Sequence, residues 1–258
     1  MPSKMRLALL AASFVSSTQG GLLRQNGAAE GFVKALQFKY TLRVCNAYPN
    51  DAELDVFRVK EKLTEHPLTY KSCKDLTAPL KTGDKLEFKV GEATAGTFTV
   101  SDLPNNDAIL LLIIHRHDQV STAVSFESHV FANLLNAQVA VIDTYKGPLK
   151  ATLRIKDHED ATKQSRSEEL RYSSIVAVNP GIYEVELGGD DGEVKAKAEL
   201  VALNHESYVV LRTGVESKTG ATSYPQELVV YPKSDPGTFR SGAASLGLVS
   251  GLFAMLAG

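Results

Sequence analysis

The chain has 258 residues, 28 Lys and Arg against 30 Asp and Glu, a formal net charge of −2, two cysteines and no tryptophan. That length accommodates two domains of ordinary size. The near-neutral charge excludes the basic footprint of a nucleic-acid binder and argues against gripping a polyanionic polymer through bulk charge.

Residues 1–20 read as a secretory signal, with Lys4 and Arg6 as the positive start, an apolar run over 7–15, and small residues over 16–20 for cleavage. Losing that segment takes two positive charges from a net −2 and leaves −4. Residues 21–36 are Gly- and Ala-rich and read as a flexible lead-in. Strand-like runs follow at 38–46, 54–59, 86–90, 97–100, 109–114 and 139–142, and resume at 151–155, 174–178, 182–187, 194–200, 208–212 and 227–231. Short β-runs separated by Gly, Pro, Asn and Asp predict an all-β chain of two tandem antiparallel β-sandwich modules, over 37–147 and 148–234.

Within these runs the spacing says which faces are buried. Leu86, Phe88 and Val90 alternate with Glu87 and Lys89, as do Tyr183, Val185 and Leu187 with Glu184 and Glu186, the mark of half-buried strands. The run from Ala108 to Ile114 is apolar throughout and too short for a membrane span, so it predicts a fully buried strand. Phe126, Val130, Phe131, Leu134 and Leu135 approximate one helical face and predict a short helix within 125–137. The charged stretch from Asp157 to Glu169 reads as a solvated loop.

Internal echoes support the tandem reading. Thr152-Leu153-Arg154-Ile155 resembles Thr41-Leu42-Arg43-Val44, which places Arg43 and Arg154 at equivalent points on the first strand of each module. Leu86 to Gly91 matches Tyr183 to Gly188, and Asp107 to Leu111 matches Glu206 to Val210. The shrinking offset predicts a longer insert in the first module, over 60–82.

The two cysteines, Cys45 and Cys73, predict one bridge in an oxidising compartment, worth about 3.5 kcal/mol on the chain-entropy model. Two separate buried thiols are the alternative. Two cysteines cannot build a metal framework at this spacing, and no Asn-x-Ser/Thr acceptor occurs. Beyond Pro236, small residues over 241–245 precede an uncharged apolar tail over 246–258. Three readings stay open for it: a glycolipid-anchor signal, a retained tail that dips into a membrane, or a packed helix.

One stretch carries a resemblance. Arg43-Val44, Asn46-Ala47-Tyr48-Pro49 and Asp55-Val56-Phe57 resemble the opening of the secreted β-sandwich modules catalogued as domain of unknown function 4397. A weaker pattern, Val178-Asn179-Pro180-Gly181, Leu211-Arg212-Thr213-Gly214 and Val229-Val230-Tyr231-Pro232, is similar to the bacterial periplasmic alginate O-acetylation accessory proteins. The resemblances imply a secreted or periplasmic adaptor or binding protein with a protein partner, of which a polysaccharide-modifying enzyme is one kind. Neither family brings a catalytic residue or a cofactor.

Few constellations carry chemistry. His115 and His117 lie two apart, so on one strand they would share a face and could hold a metal with His129 or an acid, the basis of a hydrolase reading. The alternative is a buried strand whose polar end meets water. Gly188 to Gly192 lacks the alternating oxygen ligands of a calcium loop and reads as a hairpin turn. No nucleophile elbow, phosphate loop or His-Glu-x-x-His occurs. The binding candidates are the turn residues Tyr48, Asn50 and Asp51 and, in the second module, Asn179. A structural surface-coat protein is the remaining reading.

Overall fold

Alternating and continuous apolar runs become strands throughout the computed structural model, which describes residues 38–132, 136–157, 166–219 and 222–237. In chain order the strands are β1 (Tyr40–Ala47), β2 (Leu54–Arg58), β3 (Glu61–Lys62), β4 (Cys73–Thr77), β5 (Lys85–Val90), β6 (Ala93–Thr99), β7 (Ala108–Arg116) and β8 (Val124–Ala132). They continue as β9 (Ala137–Asp143), β10 (Ala151–Asp157), β11 (Ser167–Leu170), β12 (Ser174–Val178), β13 (Gly181–Gly189), β14 (Val194–Ala202), β15 (Ser207–Val215) and β16 (Tyr224–Tyr231). The signal segment, the lead-in and the apolar tail of the sequence reading lie outside the described residues, as does most of the charged loop after Asp157.

The strands form four sheets, ordered β3-β2-β5-β6, β4-β1-β7-β8, β12-β9-β15-β16 and β11-β10-β13-β14. Adding eight to each number in the first two sheets reproduces the other two, so the second module repeats the topology of the first. Each module departs from a purely antiparallel sandwich in one place, the parallel pairs β1–β7 and β9–β15. One irregularity repeats, a bulge after Phe88 in the β5–β6 ladder and after Leu187 in β13–β14, whereas the bulge after Thr213 in β15–β16 has no counterpart in β7–β8.

Three apolar cores stack through the molecule. Leu42, Val44, Val56, Phe88, Leu110, Leu112 and Ile114 fill the first sandwich, and Val139, Val141, Leu153, Val185, Leu187, Tyr208 and Val210 fill the second. Between the modules, Cys45, Leu111, Ile113 and Phe131 pack with Ala140, Val209 and Leu211. This explains the uninterrupted apolar run of β7: Leu110, Leu112 and Ile114 face its own sandwich while Leu111 and Ile113 face the other module. A strand buried on both faces has no polar side to alternate.

The facing sheets run in opposite order. β1 lies against β15, where the Arg43 guanidinium donates to the Ser207 carbonyl and the Thr213 hydroxyl donates to the Ala47 carbonyl at 3.1 Å. β4 lies against β16, where Cys73 and Val229 pack into one cluster and Lys71, just before β4, meets Glu227 at 2.6 Å. Since β15 and β16 are the counterparts of β7 and β8, the two modules use the same face in reverse order, the relation that a two-fold axis produces between identical subunits.

Several expectations need correction. The second module begins its strands at Ala137, not after 148, because β9 pairs with β12 and β15. Thr152 to Ile155 lies in β10, the counterpart of β2, so Arg43 and Arg154 are not equivalent; Arg43 is 1% exposed on an inner sheet and Arg154 is exposed on an outer one. The supposed insert over 60–82 holds β3 and β4, which recur as β11 and β12. The expected short helix is largely strand β8: Phe126 and Val130 turn toward the first core and Phe131 toward the junction.

Candidate functional site

Arg43 anchors the junction beneath the site. Its Nε and Nη2 donate to the two Asp75 oxygens at 2.7 and 2.8 Å, and its guanidinium lies 5.2 Å from the centre of the Tyr231 ring. A fork of this kind fixes geometry as well as charge. Next to it the Cys45–Cys73 disulfide joins two residues paired in the β1–β4 ladder, so the bridge staples an edge strand to its neighbour. The predicted pairing is present, and it fits an oxidising compartment. No helix among the described residues is long and apolar enough to cross a membrane.

Above this junction runs a cleft of about 1010 Å³ to which both modules contribute. Lys71, Ser72 and Cys73 come from the first module, residues 196–199 and 201 from β14, and residues 227–234 from β16 and the chain after it. Ala196 and Ala198 line it with small side chains beside Leu228 and Val230. Lys71 is engaged by Glu227, and Lys197 by Glu184 and Glu186 at 2.8 and 2.7 Å. Lys156 and Lys197 hold the Glu186 carboxyl down at about 2, so it is ionised at any physiological pH.

The residues singled out from sequence are dispersed. Tyr48 donates its hydroxyl to the Thr122 carbonyl at 2.7 Å, Asn50 accepts from the Ala52 amide, and Asp51 accepts from the Tyr224 hydroxyl at 2.9 Å. The Tyr48–Asp51 turn therefore braces the module junction. Asn179 lies elsewhere, lining a hollow of about 340 Å³ with Tyr183 and Glu168, and its carbonyl accepts from the Tyr183 hydroxyl. The hollow includes none of residues 48–51.

His115 and His117 differ in burial and in partners. His115 is buried, and its Nδ1 is 2.8 Å from the Arg116 carbonyl; Nε2 has no hydrogen-bond partner and is 3.8 Å from Glu127. His117 lies past the end of β7, exposed, with Nδ1 at 2.8 Å from the Ser125 hydroxyl. In the β7–β8 ladder His115 faces Ser125 whereas His129 faces Leu111, four positions away. Among the described residues no group of three His, Cys, Asp or Glu is placed to hold a metal. The residues around Gly188 form the β13–β14 hairpin, closed by Gly189 and Glu193.

Sequence reading missed the cleft because nothing local marks it. Its lining comes from three strands far apart in sequence, and the alanines of β14 look like ordinary small residues until the facing strand is known.

No family model matches the sequence, and no curated protein matches it. Among solved structures, the family-26 carbohydrate-binding module CBMbc of Eubacterium rectale Amy13K, in complex with maltoheptaose, is similar over 77% of this chain and 99% of that chain, with 9% identity and a TM-score of 0.23.

Proposed function

We propose that this is a non-catalytic binding protein of an oxidising, extracytoplasmic compartment, acting as an adaptor that captures a protein partner. The cleft at the module junction carries the reading: it is broad, it draws residues from both modules, and its walls are held by a disulfide and a buried guanidinium. Rigid walls lower the ordering cost of binding. The resemblance to alginate O-acetylation accessory proteins narrows the partner to an enzyme that modifies an extracellular polysaccharide. The Tyr48–Asp51 turn and Asn179 are secondary contact candidates, and Tyr48→Ala or Asn179→Ala tests them through partner capture with folding intact.

The test is an affinity capture of internally tagged protein from native membranes, with mass spectrometry of the partners and of both mature termini. An acyltransferase or glycan-modifying enzyme is the expected partner. Recovery of the protein alone, or only with copies of itself, overturns the adaptor reading in favour of a surface coat.

A further inference from the structure

Three strands with an open edge meet at the cleft. β4, β14 and β16 each end their sheet, so each has one row of backbone groups without a strand neighbour. All three contribute to the lining. Open edges are ordinary in sandwiches, and here three of them border one concave surface.

The first module packs the equivalent seam with aromatic rings. Between β6 and β8, Phe126 packs against Phe88 and Phe98 with ring centroids 5.0 and 5.8 Å apart. The repeated bulge aligns the pair Phe88–Gly96 with Leu187–Ala196, which puts Ala198 in the place of Phe98. The second module therefore carries a methyl group where the first carries an aromatic ring.

We propose that this cleft receives an extended polypeptide segment as an added strand along the open edge of β16, a claim that rests on the binding-protein reading above. The dimensions agree. A segment rising about 3.4 Å per residue and lying about 4.8 Å from its neighbouring strand is of the scale of a cleft of about 1010 Å³ that runs along residues 227–234. Backbone pairing supplies affinity in this mode and side-chain pockets supply selectivity. A saccharide would want an open aromatic face. Tyr231, the aromatic residue of the lining, has the Arg43 guanidinium 5.2 Å from its ring centre. Charge narrows the segment further. Lys71 and Lys197 are engaged, while Lys233 and Glu199 have no ion-pair partner among the described residues. The segment thus carries an acidic side chain for Lys233 and a basic one for Glu199.

A displayed library of random eight-residue peptides, selected on the intact protein, is the probe. The expected result is an enriched charged, extended sequence that slows amide exchange over 224–234. Its binding weakens about tenfold or more when alternate peptide amides are N-methylated, and similarly in Ala198→Phe, which restores the ring of the first module. Lys233→Glu, on the rim, weakens the same peptide at low salt and keeps the test valid if Ala198→Phe does not fold. No enrichment over Ala198→Phe protein, or binding indifferent to N-methylation, overturns strand addition. Capture of the native partner by Ala198→Phe protein at full strength also overturns it, and leaves the adaptor reading standing.

Discussion

Arg43 shows how much one side chain holds at the junction of two modules. It is almost fully buried, yet its donors reach Asp75 of its own sheet and the Ser207 carbonyl of the other module. Arg43→Ala removes the donors and leaves that carbonyl without its partner; the expected loss is about 3 kcal/mol, read as a lower midpoint in urea unfolding. His115 makes a prediction of opposite chemistry. Burial pushes its pKa below the ordinary 6.5, against the raising influence of the Arg116 carbonyl and Glu127, while Lys146 and His117 push it further down. Burial lowers His129 as well. With folded pKa values depressed, the unfolded chain takes up the proton first. Stability is therefore full above about pH 6.5 and falls as the pH drops toward the folded values. Melting temperatures between pH 7 and 5 are expected to fall less steeply in His115→Gln than in the parent, with His129 accounting for the slope that remains.

At the scale of elements, β4 is an edge strand of five residues, and its disulfide to β1 does what neighbouring strands do elsewhere. Replacing both cysteines by serine is expected to lower stability by about 3.5 kcal/mol, seen as a matching loss on reduction of the parent protein and no further change on reducing the variant. Strand alternation was legible in β5 and β13, and the continuous run of β7 announced burial on both faces. What sequence could not supply was pairing. Thr152-Leu153-Arg154-Ile155 looked like the first strand because four residues carry a side-chain pattern but not a neighbour, and β10 shares its pattern with any half-buried strand. The β8 segment looked helical because its apolar residues serve two cores: Phe126 and Val130 face one and Phe131 the other, which breaks the period of two. Cys45 and Cys73 were read correctly as a bridge, whereas the cleft beside them depends on β14 and β16 and was invisible.

For the whole molecule, the apolar junction decides how the modules behave. Domains joined by a polar surface move independently, but Leu111, Ile113, Val209 and Leu211 form a shared core. One cooperative heat-absorption peak is expected in calorimetry, and Leu211→Asp, which places a charge in that core, is expected to split it into two. The junction also pairs like faces in reverse order, as two identical subunits would. Joined in one chain, that pairing no longer depends on protein concentration, so dilution does not dissolve it. Covalent union has a second effect. In an assembly of identical chains every substitution arrives twice, and a seam opened in one copy is opened in both. Here Phe98 stands in one seam and Ala198 at its counterpart, so a single gene can carry two differently packed seams at once.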